Sequence, residues 1–421
     1  MAMVLPGVSY TETLLTQTSN DDPVTMPLFI GYTSTDMEVV TQETTMQPVS
    51  VGSLTQAISY FGQRGTLAYS LRHFFENGGL HCYVLSLGSG KEEPIDRLKD
   101  LIAALQAPLM LETLLADDQT GLVLVPELSE LNDVLSFSFP TEDERQDIEE
   151  FDITSLWYQG WQALLMLCHQ GQQRFALLEL PEDPKDAVAL LQQSFSADLC
   201  QNGAAWWPRL ETNYQDEASS YIVLSPLPAI AAVIQSNAND KGIWKAPANI
   251  SLEKTLRPTR NILTSQTLLD SQGISCNLIR SFVGKGVRLW GCRTLINDED
   301  SSWRYIQTRL LVNSIEHYLS KLARSYLYEP NNALTWVKLK GQVWTWLRQQ
   351  WLLGAFFGTV EEDAFSLSIG LDETMSEDDI RNGKMVLQIN LALLAPAEFI
   401  DISLTLDLRE GTTNMQLGGE S

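Results

Sequence analysis

Apolar residues in the first half of the chain fall into two kinds of segment. Short apolar runs at residues 28–32, 82–87, 122–126 and 175–180 are typical of buried β-strands. The segments 67–75, 94–105 and 185–193 carry apolar residues at helical spacing instead. Because strands and helices alternate, the sequence predicts an α/β layer in the middle of the chain.

The last third of the chain has a different pattern. Residues 301–323 place their apolar side chains on one face of a long helix, and residues 333–353 form a second helix. The stretch 329–332, which contains Pro330, separates them. Two long helices joined by a short turn are expected to pack antiparallel.

Tryptophans mark the faces of the second helix. Their spacing puts Trp336 and Trp351 on the core stripe, together with Val343. Trp344 and Trp346 should point elsewhere, and large exposed aromatic side chains usually mark a contact surface. Packing in the core is the alternative for either tryptophan.

Three strands follow the helices, at 365–371, 385–394 and 400–408. The last is the clearest, because its apolar residues alternate strictly with polar ones. These apolar residues are Ile400, Ile402, Leu404, Leu406 and Leu408. A terminal amphipathic strand with free backbone groups is a template for a strand from another chain.

The other end of the chain resembles an arm. Within residues 1–22, Val4, Val8 and Tyr10 are spaced by Pro6 and Gly7, and a polar stretch follows. This pattern predicts an extended arm and a tether. The alternative is that both termini fold back onto their own subunit.

Composition limits the possible functions. The 421 residues exceed what one hydrophobic core usually supports, so more than one packed unit is expected. The formal charge of −25 disfavours a nucleic-acid partner, because phosphate binding needs clustered cations. No apolar run is long enough to span a bilayer, and the N-terminus does not resemble a secretory signal, so we expect cytoplasmic folding.

The candidate motifs for catalysis or cofactor binding lack the residue spacing that these functions require. Gly88-Ser89-Gly90-Lys91 lacks the earlier glycine and the following Ser or Thr of a phosphate-binding loop. The four histidines and five cysteines show no metal-ligand spacing. His73 and His81 lie close enough to Cys82 in sequence to suggest Cys–His chemistry, but structural histidines are the favoured interpretation. The sequence therefore predicts no catalytic residue, cofactor or metal. An α/β enzyme with an unrecognised site in the middle domain remains the alternative.

Five segments, in order along residues 240–400, resemble the phage tail sheath protein family. They are 241–249 (KGIWKAPAN), 277–295 (NLIRSFVGKGVRLWGCRTL), 303–306 (WRYI), 328–331 (YEPN) and 396–400 (PAEFI). Cys292 stands where alanine is common, and Leu227-Pro228 replaces a Tyr-Pro-Trp segment. The modest length is similar to that of sheaths from extracellular phage-like injection particles, which often encode several sheath paralogues.

The resemblance implies a mixed α/β and α+β fold with several domains. It divides the chain into an N-terminal linking arm (1–22), an α/β middle domain (23–255), a conserved core of two long helices on a β-sheet (256–398) and a C-terminal linking strand (399–421). It also implies hexameric rings stacked around an inner tube, with Val4, Val8, Tyr10 and the 400–408 strand exchanged between subunits.

The implied partners are other sheath subunits and paralogues, the inner tube, and baseplate and terminator proteins, with no nucleic acid and no membrane insertion. Assembly would take place in the bacterial cytoplasm, as part of a phage tail or a released particle. Basic residues on the helices are candidates for contact with an acidic tube: Arg304, Arg309, Lys338 and Lys340. The alternative is that they are ordinary solvated charges on the helix surface. A specialised paralogue at the baseplate or cap end fits the same motifs.

Overall fold

The computed structural model describes residues 22–33, 46–134, 153–216, 218–260, 274–298, 300–394, 400–407 and 412–418. An eight-stranded sheet organises the first two thirds, in the order β11-β10-β6-β5-β4-β1-β3-β2. Its strands are β1 (Pro27–Thr33), β2 (Pro48–Val51), β3 (Cys82–Ser89), β4 (Leu122–Leu124), β5 (Phe175–Glu179), β6 (Gly203–Trp207), β10 (Asn277–Phe282) and β11 (Gly286–Trp290). The strands from β3 to β10 run parallel, and β2 and β11 are antiparallel edges.

Helices cover both faces of this sheet. They are α1 (Leu54–Phe61), α2 (Thr66–Glu76), α3 (Pro94–Gln106), α4 (Pro108–Ala116), α5 (Ile153–Gln170), α6 (Pro184–Leu191), α7 (Ala197–Cys200) and α8 (Leu227–Lys241). Successive strand residues alternate between the faces, so Ala176 and Leu178 join the core under α3 and α5, whereas Phe175 and Leu177 join the core under α2 and α8. The predicted α/β layer is confirmed.

The predicted strands and helices of this layer are present with small shifts at their ends. Helix α2 ends beside Gly78, whose φ of 87° suits glycine, as the Asn77-Gly78-Gly79 signal predicted. A three-stranded sheet, β8-β7-β9, lies beside the main one and was not predicted. Its strands are β7 (Leu210–Gln215), β8 (Tyr221–Leu224) and β9 (Thr255–Pro258). The expected domain boundary after residue 255 falls inside β9, and the domain division stays a prediction.

Two long helices and a four-stranded sheet form the C-terminal unit. Its elements are α9 (Ile306–Ser325), α10 (Ala333–Leu352), α11 (Glu361–Ala364), α12 (Glu377–Arg381), β12 (Phe365–Ser368), β13 (Lys384–Leu391), β14 (Ile400–Asp407) and β15 (Thr412–Gly418). The Tyr318 and Trp346 rings stack with centroids 4.1 Å apart, and the Tyr326 hydroxyl donates to Gln342 at 2.9 Å. Because these pairs run in opposite directions along α9 and α10, the predicted antiparallel packing is confirmed.

Helix α9 belongs to two hydrophobic cores. Near its N-terminus, Ile306 and Leu310 pack into the core beneath α2 and α8. From the next residue onward, Leu311, Ile315 and Leu319 pack into the core between the C-terminal helices and sheet. A single continuous helix therefore joins the α/β layer to the C-terminal unit.

Polar contacts strengthen this junction. The Ser314 hydroxyl donates to the Asp22 carboxylate, and the Gln173 side-chain amide donates to the Ser320 hydroxyl at 3.1 Å. Both bonds connect the part of α9 that follows Leu311 to segments that belong to the α/β layer. The helix is thus held to the layer beyond the point where its apolar contacts change cores.

A buried ion pair lies where α9 passes from one core to the other. Arg309 and Glu316 are 4% and 6% exposed, and Nη2 of the arginine lies 3.3 Å from Oε2 of the glutamate. Arg309 Nε also donates to Asn313 at 2.7 Å, and the guanidinium lies 4.7 Å from the centroid of the Trp303 ring. Burial lowers the pKa of Arg309 and raises that of Glu316, and the attraction between the charges opposes both shifts.

A second buried carboxyl lies at the point where the strand order of the large sheet reverses. The chain goes from β1 to β3 on one side and to β4 on the other, and α/β enzymes bind ligands in the crevice at such a point. Here Glu127 occupies it, and its Oε1 accepts the Tyr32 amide N–H at 3.0 Å. A Cβ at Gly31 would overlap the carboxylate. The crevice is filled by the chain itself.

Burial favours the protonated form of Glu127 and of Glu179, which lies on β5. Desolvation raises the pKa of Glu127 to about 8, with a further upward contribution from Glu130. Desolvation also raises the pKa of Glu179 to about 7, although Ser129 and Arg209 favour its charged form. Both acids are therefore more easily protonated in the folded than in the unfolded chain.

Breaking the buried ion pair should be costly. Arg309→Met leaves an unpaired buried carboxylate, so the free energy of unfolding in urea should fall by about 3–5 kcal/mol. Adding Glu316→Leu should recover most of this loss, because two apolar side chains replace the pair. Arg381→Met, which removes an exposed pair with Glu377, is the matched control and should change little. A double variant as unstable as Arg309→Met alone would contradict this account.

Glu127 should contribute stability that is lost as pH rises from about 4.5 to 8. Over this range the folded chain retains protons on Glu127 that the unfolded chain has released, at a slope of at most about 1.4 kcal/mol per pH unit for one group. Because Glu179 titrates in the same direction up to about pH 7, Glu127→Gln should reduce the slope rather than abolish it. Urea unfolding at several pH values measures this. An unchanged slope in Glu127→Gln, as expected for the exposed control Glu112→Gln, would refute it.

Candidate assembly surfaces

The C-terminal sheet packs one face against the two long helices. On β13, alternate residues are fully buried in the core with α9 and α10: Met385, Leu387, Ile389 and Leu391. Phe365 and Leu367 of β12 join the same core. Beyond β13 the sheet continues with β14 and then β15, both antiparallel to their neighbours.

The predicted 400–408 strand is present as β14, and it is an interior strand. It pairs with β13 along its whole length, from Leu391 opposite Ile400 to Lys384 opposite Asp407. Its other side pairs with β15, which the sequence analysis did not predict. The expectation that β14 is a free edge is therefore corrected: in the isolated chain both of its sides are hydrogen bonded to strands of the same subunit.

The register of β14 matches the apolar alternation of β13. Ile402 lies opposite Ile389, Leu404 opposite Leu387, and Leu406 opposite Met385. A shift of one residue would break this match, so the pattern specifies one alignment. Of the remaining predicted exchange residues, Val4, Val8, Tyr10 and Leu408 lie outside the described residues. Exchange of strands between subunits stays a prediction.

Helix α10 presents an apolar stripe on the side away from its core. Leu334, Val337 and Leu352 are 65%, 69% and 68% exposed, and Trp344 is 39% exposed. Their spacing places them on one face of the helix. The prediction of an exposed Trp344 is confirmed, whereas Trp346 packs on Tyr318 because the aromatic ring of α9 reaches its position. Exposed stripes of this kind usually mark contact surfaces.

The four predicted tube-contact residues divide into two pairs. Lys338 is exposed and Lys340 half-buried, and both flank the stripe on α10. Arg304 and Arg309 are only 8% and 4% exposed. A contact through these guanidinium groups requires a surface position, so burial removes both arginines from the candidate set. Sequence spacing alone could not distinguish an exposed basic residue from one with a buried acidic partner two turns away.

Burial disfavours the candidate Cys–His chemistry of His73 and Cys82. His73 is fully buried beside the hydroxyl of Tyr214, at 3.3 Å, and burial lowers its pKa to about 4. Burial raises the pKa of the Cys82 thiol, so a reactive thiolate is disfavoured. Within the described ranges, no group of three or more His, Cys, Asp or Glu side chains could hold a metal ion.

The described helices include none that is both long and apolar enough to cross a membrane. Among the described residues, the C-terminal strands and the exposed face of α10 are suited to protein–protein contact. Their chemistry is backbone pairing and apolar burial.

Comparison with known proteins shows which family the chain belongs to. No protein-family model and no curated protein matches the chain. The chain is 75% identical to a chain from the contracted baseplate of the anti-feeding prophage, with a TM-score of 0.81, over 97% of this chain and 100% of that one.

Two sheath structures are more distant relatives that span the same length. A chain of the contracted helical sheath of the anti-feeding prophage is 25% identical, with a TM-score of 0.65, covering 94% of this chain and 98% of that one. A chain of the contracted PVC sheath complex, from an extracellular contractile injection system, is 24% identical with a TM-score of 0.66, covering 95% and 96%. The predicted family is confirmed: this chain belongs to the tail sheath proteins of extracellular contractile injection systems.

Proposed function

We propose that this chain is a specialised sheath subunit at the baseplate end of a contractile injection particle. The observation that carries the proposal is the difference in identity: 75% to a chain from a baseplate structure, against 25% to a chain of the helical sheath. A bulk sheath protein would be expected to match the helical sheath chain more strongly. The role is structural, and no catalytic step is part of it.

The bulk sheath is the second candidate. It is favoured by the alignment with the helical sheath chain, which covers 98% of that chain without loss of a domain. In either position the subunit would form part of stacked hexameric rings around an inner tube and would change its place in the lattice on contraction. Its partners would be neighbouring sheath subunits, the tube, baseplate proteins and a terminator.

The fold supports movement of the subunit as one body. Because α9 contributes side chains to both cores, the α/β layer and the C-terminal unit cannot rotate independently without exposing apolar residues such as Leu310 and Leu311. The terminal segments would then act as links between bodies. Under this proposal the particle assembles in the bacterial cytoplasm and is later released.

Strand exchange supplies the proposed link. If β14 and β15 moved together to the β13 edge of a neighbour, every backbone bond of the β13–β14 ladder would be kept with a different subunit. The apolar register that specifies the internal pairing would specify the exchanged pairing equally well. The isolated chain and the assembly would thus use the same contacts with different connectivity.

Location in the particle tests the function. The chain is produced with the tube, sheath and baseplate proteins of its own particle, and a gold-labelled antibody against it is located by electron microscopy. Label confined to one end, next to the baseplate, is expected. Label along the whole length would favour the bulk sheath, and particles without label would refute both placements.

Exchange is tested with cysteines at opposed positions. Gln388 lies opposite Ser403, so one chain carrying Gln388→Cys and another carrying Ser403→Cys should crosslink in assembled particles. Asp407→Cys in place of Ser403→Cys is the matched control, since Asp407 pairs with Lys384 instead. Four native cysteines are buried and the fifth is half-buried, which limits background. Crosslinking only when both cysteines are in one chain would show that the strand stays in its own subunit.

A further inference from the structure

The α10 stripe is an apolar surface with a basic rim. At its N-terminal end, Leu334 and Val337 are about two-thirds exposed. Lys338 and Lys340 lie on either side of it by helical spacing, and the Arg348 guanidinium lies 5.2 Å from the centroid of the Trp344 ring. An apolar centre with a polar rim is the usual anatomy of a protein–protein interface.

The charge of α10 is opposite to that of the chain. The helix contains three basic residues and no Asp or Glu, whereas the whole chain carries a formal charge of −25. Copies of this chain therefore repel one another on average, and a stable contact between them needs a local surface of opposite sign. Helix α10 is such a surface.

The complementary surface follows α10 in the same chain. Residues 353–380 contain eight acidic residues and no Lys or Arg. The exposed members of this acidic segment are Glu362, Asp363, Asp372, Glu373, Glu377 and Asp378. Apolar side chains are exposed among them, since Val360 and Leu371 are 51% and 41% exposed. The segment thus has an apolar component and an acidic rim.

We propose that the α10 stripe of one subunit docks on the acidic segment of a second copy of this chain. The charges match in sign, and both surfaces offer exposed apolar side chains for burial. Within one chain the two surfaces meet through Arg348 and Glu361, 3.2 Å apart, and the other exposed residues of each remain on the surface. A contact between two different surfaces of identical chains is head-to-tail, and such contacts generate rings or helices.

This inference rests on the proposed sheath role, because it names the partner that the α10 face would meet in a ring or stack. It also changes the assignment of Lys338 and Lys340, which would contact a second sheath subunit rather than an inner tube. Because the rim charges lie in solvent, they would mainly direct the approach and register of two copies, and the apolar centre would hold them together.

A charge exchange tests the pairing. One variant carries Lys338→Glu and Lys340→Glu, and the other carries Glu362→Lys and Glu373→Lys. Each alone places like charges at the contact, so self-association measured by sedimentation velocity should weaken about tenfold. An equimolar mixture should recover most of the loss, because every contact between unlike chains then has opposite charges.

The apolar stripe is tested separately. Leu334→Asp with Val337→Asp should weaken self-association about a hundredfold, since it places two carboxylates on the apolar stripe. Leu109→Asp is the matched control, because Leu109 is 54% exposed on α4, outside both surfaces. Thermal unfolding of each variant shows whether the fold is intact, and a folded variant that associates normally would overturn the proposal.

Three further outcomes would contradict the proposed docking. A mixture of the two charge variants that associates no better than either alone would show that the occupant is not this acidic segment. Variants that self-associate normally but no longer bind the tube protein would assign the face to the tube, and a wild-type chain that stays monomeric would also overturn the inference. None of these results depends on where the antibody label lies in the particle, so failure of the proposed function is recognised independently.

Discussion

The rest of the structure depends on one helix that is part of two hydrophobic cores. Within about one turn of α9, the apolar contacts pass from the α/β layer at Leu310 to the C-terminal unit at Leu311. The buried pair of Arg309 and Glu316 spans this change of core. Separating the two units would expose apolar residues from both cores and leave the ion pair in a different environment. The junction therefore resists bending more than a loop between domains would.

A rigid body suits the proposed mechanical role, in which the terminal strands would be exchanged between subunits. In this molecule the buried polar groups that could suggest chemistry are used within the fold. Glu127 fills the crevice where the strand order reverses, and His73 is enclosed beside Tyr214. Among the described residues, the C-terminal strands and the basic apolar face of α10 are the surfaces that we propose for partners. Identity to a baseplate chain and a distant relationship to sheath chains agree with such a structural role.

Sequence patterns predicted the elements whose two sides differ. Strand β14, helix α2 and the antiparallel pair of α9 and α10 all have one apolar and one polar side, and all were predicted close to their observed ends. Helix α8 was missed because it is buried almost all round, which removes the periodic signal. Strand β15 was missed because its residues are mostly polar. The candidate site was predicted less well: the exposure of Trp344 followed from spacing, but the burial of Arg309 depends on Glu316, two turns away, and on packing around both.

Hydrogen–deuterium exchange along α9 in the intact chain tests the central claim most directly. If one helix joins two cores into one mechanical body, amides near Ile306 and amides near Leu319 should exchange through the same opening, with equal free energies and equal urea dependence. The result that would contradict this is a C-terminal half of α9 that exchanges through an opening of lower free energy while the N-terminal half stays protected. That result would show two units that open separately and a helix that only connects them.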